Sequence, residues 1–180
     1  SGGYSVTVIG TMTVAGNLTI TKVYAINTGT IAVAGNVLTD DASVFGSATI
    51  LINGSGAQTL GSGNDGTIGA VPGISINKAG GTLTLQDTIA LDGSTGWTYT
   101  AGTLSIGTST FEFNALQTIT GTMSMYNLKM IKSGNTTSTI TIASGTTLTV
   151  TNTLTLDKTN VQSSEALDGP GAITLTGNLV

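Results

Sequence analysis

The sequence predicts an all-β protein, and more specifically a parallel β-solenoid of eight or nine rungs. Its composition is dominated by 36 Thr and 26 Gly. Thr is β-branched and favours extended, half-buried backbone, whereas Gly is favoured in turns. Short runs in which apolar residues alternate with Thr or Ser recur about every eight to ten positions. A period of two is typical of a strand with one buried face.

The predicted strands follow one another along the whole chain, separated by Gly, Asn, Asp or Ser. No segment shows the 3.6-residue period of an amphipathic helix. In chain order, the clearest strands are 12–14, 18–20, 30–33, 49–52, 74–76, 82–85, 103–106, 110–113, 139–142, 148–150 and 154–156. This pattern favours architectures built from strands alone.

The choice among all-β architectures depends on the turns. A β-sandwich uses hairpins, whose two-residue turns favour Asn-Gly and Asp-Gly, whereas a solenoid coils parallel strands into rungs about 4.8 Å apart. Such dipeptides are few for so many strands: Asn53-Gly54, Asp65-Gly66, Asp92-Gly93 and Asp168-Gly169. The solenoid is therefore the preferred interpretation, with β-sandwich domains as the alternative. Three strands in a rung of roughly 20 residues make residues 1–180 one repetitive domain of eight or nine rungs.

A longer repeat of about 55 residues overlies the strand pattern. Segments 17–22, 73–78 and 127–132 each end in Lys, and the first two are followed by Gln58-Thr59 and Gln117-Thr118. The sequence ends before the third Gln-Thr step. Residues 171–180 followed by residues 5–14 resemble the internal stretch 109–125, so the end and the start of the chain together complete another copy.

The low content and acidic balance of charged residues restrict the partners and the cellular location that we expect for this protein. The net charge is −4, the isoelectric point is near 4.3, and only 8% of residues are charged, against roughly 25% in a typical soluble domain. Nucleic acid would call for clustered Lys and Arg, so it is not an expected partner. No apolar run approaches the roughly 18 residues of a membrane-spanning helix, and membrane insertion is not expected. An acidic chain with so few charges fits an extracellular or cell-surface location.

The residues needed for most catalysis are absent. The chain has no His and no Cys, which excludes Ser-His and Cys-His nucleophiles and any metal held by His or Cys. Asp40 and Asp41 are the one adjacent carboxylate pair, but neighbours on a strand point to opposite faces. Calcium is the one metal to consider, at residues 61–66 and 157–160, where ordinary Asx turns are the preferred interpretation. We expect no enzyme activity, catalytic residue or cofactor.

Three further groups of residues suggest binding or modification. Asn17, Asn53 and Asn135 each begin an N-glycan acceptor pattern. Recurrent Thr-x-Thr pairs would order water for ice binding if they were in register, but their spacing is irregular. Aromatic residues alternate at Trp97/Tyr99 and at Phe111/Phe113. An exposed aromatic row would stack on sugars, but we expect these side chains to fill the core.

The chain also resembles a known group of repeats. Gly-Ser-Gly-Ala-Gln-Thr-Leu at 54–60, Ile-Ser-Ile-Asn-Lys-Ala-Gly-Gly-Thr-Leu-Thr-Leu at 74–85 and Ala-Gly-Thr-Leu-Ser-Ile-Gly at 101–107 are similar to the Gly/Thr-rich β-strand repeats of large bacterial surface, adhesin-like proteins. The resemblance extends over nearly the whole chain. It implies an extended extracellular scaffold and no active site.

The sequence therefore predicts a structural role, as a subunit that assembles head to tail with copies of itself into an extracellular filament. An uncapped solenoid exposes an unpaired strand edge at each end. The predicted interface consists of apolar residues near both ends: Val6, Val8, Ile9, Met12, Val14, Ile173, Leu175, Leu179 and Val180. One alternative is a segment of a long surface adhesin in which the solenoid continues covalently. Another is an ice- or carbohydrate-binding β-solenoid.

Overall fold

The structure, a computed structural model, describes residues 3–63, 68–114, 116–132, 138–158 and 165–180. These residues form strands and no helix. The strands in chain order are β1 (Tyr4–Thr7), β2 (Thr11–Val14), β3 (Leu18–Ile20), β4 (Val23–Asn27), β5 (Thr30–Val33), β6 (Val37–Thr39), β7 (Thr49–Ile52), β8 (Gln58–Ser62), β9 (Ile68–Leu85), β10 (Thr88–Ser105), β11 (Thr110–Phe113), β12 (Gln117–Thr120), β13 (Met123–Lys132), β14 (Ser138–Ile142), β15 (Thr147–Lys158), β16 (Glu165–Asp168), β17 (Ala172–Leu175) and β18 (Asn178–Leu179). The predicted all-β class is confirmed.

The strands stack in three parallel ladders, which we name A, B and C. Ladder A contains β2, β5, β7, the middle parts of β9 and β10, β12, β14 and β16. Ladder B has two sections. The section nearer the N-terminus contains β3, β6, β8 and the last parts of β9 and β10, and the section nearer the C-terminus contains the first parts of β13 and β15, and β17. Ladder C contains β1 and β4, then the starts of β9 and β10, β11, the ends of β13 and β15, and β18. The chain visits the ladders in the order C, A, B, and each circuit is one rung.

The register of these ladders confirms the predicted parallel β-solenoid. In ladder A, Thr11 pairs with Thr30 and Thr30 with Thr49, so the first turns take 19 residues each, close to the predicted 20. Eight strands are stacked in this ladder, which corresponds to about seven turns and is close to the eight or nine rungs predicted. Every pairing between the described strands is parallel, and these strands do not form the alternative of β-sandwich domains.

The core is a file of apolar side chains that runs up the inside of the coil. Because the strands are in register, each buried side chain lies directly over one of similar kind in the rung below. In ladder A the file, in which each side chain is at most 2% exposed, consists of Ile31, Ile50, Ile74, Trp97, Ile119 and Ile142. Trp97 also meets Phe111 of ladder C edge to face, with ring centroids 4.6 Å apart. Stacked apolar files therefore replace the two-layer core of a sandwich.

The corners between ladders need tight backbone packing. Gly81 has a φ of +66°, and a side chain there would collide with the backbone of Gly56 in the rung below. Only glycine combines this conformation with such a close approach. The abundance of Gly in the sequence thus serves the stacking of corners as well as the turns themselves.

The three Lys-ended segments occupy different places in the coil. Residues 17–22 include a strand of ladder B, residues 73–78 lie in ladder A, and residues 127–132 lie in ladder C. Their shared feature is local: each Lys comes two residues after a buried core residue, namely Ile20, Ile76 and Met130. The spacing of about 55 residues is not a whole number of turns, so similarity in sequence does not mark equivalent positions around the solenoid.

The core file generates a first prediction. We expect Ile50→Ala to lower the free energy of unfolding by about 2–5 kcal/mol, because it leaves a cavity between Ile31 and Ile74. Ser75→Ala, on the same ladder and only partly buried, should change it by no more than about 0.5 kcal/mol. Urea unfolding followed by circular dichroism measures both. Equal losses in the two variants would contradict the inward file.

Candidate functional site: the solenoid ends and the polar corners

The N-terminal end of the solenoid presents one strand from each ladder: β1 from ladder C, β2 from ladder A and β3 from ladder B. None of the three contains a charged residue. Of the predicted interface residues at this end, Val6, Ile9 and Met12 are exposed, Val14 is partly buried, and Val8 is buried in the core. Three of the five predicted side chains are thus exposed at this end, whereas Val8 belongs to the core.

The C-terminal end has the same organisation, with β16 from ladder A, β17 from ladder B and β18 from ladder C. Ile173 and Leu175 are partly buried against the core, whereas Leu179 and Val180 are exposed. Val180 is held to the rung below, because its N–H donates to Leu154 O and its carbonyl accepts from Leu156 N, both at 2.9 Å. The strands β17 and β18 are uncharged, and β16 carries two acids.

The backbone groups that face along the axis at each end follow from the ladder pattern. Thr30 N donates to Gly10 O and Ala34 N donates to Val14 O, both at 2.9 Å. The backbone N–H and C=O groups of alternate residues, from Gly10 to Val14, therefore point toward the second rung. Thr13, between them, directs its own N–H and C=O away from the solenoid. At the other end, Ala172 and Thr176 donate to the rung below, at 2.9 and 3.0 Å, so Ile173 faces outward in the same way. Both ends are parallel edges.

The ladders also show which strands of the two ends correspond. If a second copy continued each ladder past the last rung of the first copy, its β1 would lie against β18, its β2 against β16 and its β3 against β17. The sequence pattern instead joined residues 171–180 end to end with residues 5–14, and the predicted interface left out β3 and β16. Thr11, Thr30 and Thr49 are 19 residues apart in the sequence, which is the length of one turn through the three ladders. This spacing is the sequence signal that indicates three strands at each end.

Some of the modification and metal sites predicted from the sequence lie among the described residues, and others lie wholly or partly outside them. Asn17 and Asn53 are exposed and lie at the corner between ladders A and B, and Asn135 lies outside the described residues. Both predicted calcium loops extend beyond the described ranges, at residues 64–67 and 159–160. Within the described ranges, no group of three or more acidic side chains is arranged to hold a metal ion. Glycosylation remains a prediction.

The aromatic residues singled out in the sequence belong to the core, as expected. Trp97, Phe111 and Phe113 are fully or almost fully buried, and Tyr99 is partly buried with its hydroxyl donating to Gly102 O at 2.6 Å. Trp97 Nε1 donates to Met123 Sδ at 2.8 Å. These rings therefore present no continuous surface on which a sugar would stack.

A column of amide side chains joins the rungs at the corner between ladders A and B. Asn17 Oδ1 accepts from Asn36 N at 2.9 Å, and Asn36 Oδ1 accepts from Thr59 N at 2.8 Å. In the next rung, Gln58 Nε2 donates to Val33 O at 3.2 Å and to Gly35 O. Each side chain thus satisfies turn groups of a neighbouring rung, which backbone pairing leaves unmatched.

The column ends at a buried lysine. Lys78 is only 3% exposed, and its ammonium donates to Gly54 O at 2.6 Å, Gly56 O at 3.0 Å and Gln58 Oε1 at 2.5 Å. Burial lowers the pKa of this ammonium. In the described part of the chain, no carboxylate forms an ion pair with Lys78. Within the described residues, its positive charge is compensated by the dipoles of these three oxygens.

The corner between ladders C and A repeats the arrangement at Gln117. Gln117 Nε2 donates to Leu91 O at 3.2 Å and to Gly93 O, as Gln58 does to Val33 and Gly35. The buried Oε1 of Gln117 accepts no hydrogen bond within the described residues. The Gln-Thr repeat seen in the sequence therefore marks a corner device, used on two different corners of the solenoid.

A file of ionisable side chains runs along the outer side of ladder C. Asp92 Oδ1 accepts a hydrogen bond from Asn114 Nδ2 at 2.5 Å. Burial raises the pKa of Asp92, and the hydrogen bonds to its carboxylate oppose this effect only in part. Burial likewise raises the pKa of Glu112, opposed mainly by Lys129. The Lys129 ammonium lies 4.0 Å from Glu112 Oε2 and 3.5 Å from Asp157 Oδ2.

Comparison with known proteins adds no family to this description. No protein-family model, no curated protein and no solved structure matches the chain. Across the ranges that the structure describes, there is no helix with the length and hydrophobicity that crossing a membrane requires. The fold itself defines the chain as a β-solenoid repeat protein.

The buried lysine yields the second prediction. We expect Lys78→Met to destabilise the fold, because the buried Gly54 O and Gln58 Oε1 lose their donor, at about 1–3 kcal/mol for each unsatisfied group. Lys22→Met removes an exposed ammonium and should change the free energy of unfolding by no more than about 0.5 kcal/mol. Thermal and urea unfolding provide the comparison. A Lys78→Met protein as stable as the Lys22→Met protein would show that the corner does not need its cation.

The file on ladder C predicts a pH dependence. Because burial raises the pKa of Asp92 and Glu112, the folded protein binds their protons more tightly than the unfolded chain does. Their contribution to stability should rise as the pH falls from 7 toward the ordinary carboxyl pKa of about 4, and decline as the pH rises. Asp92→Asn and Glu112→Gln should each weaken this dependence. Unfolding free energies at several pH values test it, and unchanged slopes in both variants would contradict it.

Proposed function

We propose that this protein is a structural, non-enzymatic subunit that assembles head to tail into an extracellular filament. The observation that supports the proposal is the matching organisation of the two ends. Each end presents one strand edge from ladder A, one from ladder B and one from ladder C. A second copy placed on the first would continue all three ladders.

The physical reason for association lies in the edges. Backbone N–H and C=O groups at an open edge are a template for pairing, which natural proteins usually block with charges, Pro or a covering segment. Five of the six terminal strands, all except β16, carry no charged residue. Exposed apolar side chains at both ends, including Ile9, Met12 and Leu179, would lose contact with water in the same contact.

The geometry of such a contact leads to a fibre. The surface on one end differs from the surface on the other, so each subunit keeps one unused surface after pairing. A head-to-tail contact of this kind stays open and continues along the solenoid axis. The expected product is a filament whose rungs run from one subunit to the next at the ordinary strand spacing of about 4.8 Å.

The extracellular location and the adhesin-like character belong to the same proposal. They are supported by the low charge and the similarity to Gly/Thr-rich surface repeats. Glycans on Asn17 and Asn53 would project from the corner between ladders A and B, where both side chains are exposed. The alternative is covalent continuation of the same ladders in a long surface adhesin, which the mass of the native protein distinguishes from assembly of separate chains.

The fourth prediction is that the purified 180-residue chain forms filaments, which electron microscopy would show. Thr13→Pro should abolish them, because it removes an N–H that faces outward from β2 and has no role in pairing with β5. Thr13→Val keeps that N–H and should still form filaments. Circular dichroism should show folded protein in all three cases.

Two results would contradict the proposal. One is a wild-type chain that remains monomeric at all concentrations tested by analytical ultracentrifugation. The other is a Thr13→Pro chain that is folded and polymerises as well as the wild type, since its end would then not be used. X-ray fibre diffraction of the filaments should show a meridional reflection near 4.8 Å.

A further inference from the structure

Exposed aromatic rings form a row on ladder C near the N-terminal end. Tyr4 is 81% exposed, Tyr24 55% and Phe45 41%. Tyr4 and Tyr24 lie on the neighbouring strands β1 and β4, and Phe45 follows in the next rung, where it forms an isolated parallel bridge with Ala25, the residue after Tyr24. The ring centroids of Tyr24 and Phe45 are 5.3 Å apart with planes at 57°. A contiguous exposed apolar patch rimmed by polar residues is the type of surface on which proteins bind ligands.

A cleft of about 510 Å³ lies beside this row. Tyr4, Lys22, Tyr24, Asp41 and Ser43 contribute to its lining. Its wall is held in place, since Asp41 Oδ2 accepts from Val23 N at 2.8 Å and Lys22 adopts a left-handed φ of 56°. A concave, preformed site with aromatic walls and a few polar groups is typical of small-molecule and glycan recognition.

The chemistry of the lining selects the class of ligand. Tyr4 and Tyr24 combine an apolar ring face with a hydroxyl, Lys22 supplies donors, and Asp41 supplies acceptors. One ammonium and one carboxylate leave the cleft with no net charge. Such a lining fits a neutral molecule that has both an apolar face and many hydroxyls, which describes a sugar ring better than a polyanion or a lipid chain.

We propose that the Tyr4–Tyr24 cleft binds a neutral, β-linked hexose oligosaccharide. In β-linked glucose units the hydroxyls are equatorial, so the C–H faces stack on the rings while the hydroxyls reach Lys22 and Asp41. Tyr4 lies on the terminal strand β1, but the cleft is lined by its side chain and those of Lys22, Tyr24 and Asp41, whereas the assembly contact is proposed for backbone groups that face along the axis. Sugar binding therefore does not depend on filament formation.

Saturation-transfer NMR and calorimetric titration with cellohexaose test the proposal on the full chain. We expect saturation transfer to the sugar ring protons. Tyr24→Ala should weaken binding by about threefold to tenfold, because one aromatic stacking contact is lost. Tyr24→Phe keeps the ring and should bind within about twofold of the wild type. Leu116→Ala, which removes another exposed apolar side chain far from the cleft, is the matched control.

The outcomes separate the two proposals. Absence of saturation transfer from wild-type protein at millimolar cellohexaose would overturn the sugar site, as would equal binding by the wild type and Tyr24→Ala. Stronger binding of an acidic oligogalacturonate than of cellohexaose would overturn the neutral class of ligand. Binding in the Thr13→Pro variant should match the wild type whether or not filaments form, and Tyr24→Ala should leave filaments unchanged.

Discussion

The parallel backbone ladder, kept in register from rung to rung, is the constraint on which the rest of this structure depends. Each strand satisfies its N–H and C=O groups only through the strands above and below it, so no rung is stable by itself. The same register places Ile31, Ile50 and Ile74 directly over one another. Hydrogen bonding and core packing are therefore two results of a single geometrical arrangement, and a shift of one residue would disrupt both.

Corners are the places where the ladders leave backbone groups unmatched, and side-chain amides supply the missing partners. Gln58 and Gln117 perform the same task on different corners, each donating to two carbonyls of a lower rung. Lys78 then completes one of these corners by donating to three oxygens. Polar residues buried at such points cost desolvation energy, which their hydrogen bonds offset only when the corner is correctly stacked. They therefore favour one register over its neighbours.

The same reasoning explains why the ends and the sides of the solenoid differ chemically. At the ends, backbone groups of residues such as Thr13 face along the axis, and their natural partner is another parallel strand. On the sides, backbone groups are paired within the ladders, and side chains such as Tyr24 and Asp41 determine what is bound. Assembly and ligand binding are thus proposed for surfaces that differ in kind, and a repeat fold provides both without a dedicated active site.

The alternation of Thr with apolar residues, the scarcity of hairpin turns and the many Gly were sufficient to predict the parallel solenoid, the approximate number of rungs and the burial of Trp97 and Phe111. These features are local, and a period of two has the same meaning wherever the strand lies. The position of each strand around the coil depended on turn lengths that the sequence does not state. Only the tertiary structure therefore decided that the Lys-ended segments lie on three different ladders, that β3 and β16 belong to the ends, and that Tyr4, Tyr24 and Phe45 lie on successive rungs. The number of residues in each turn of the coil determines which residues become neighbours. That number is set by how each rung packs on the preceding one, which is a property of the tertiary structure.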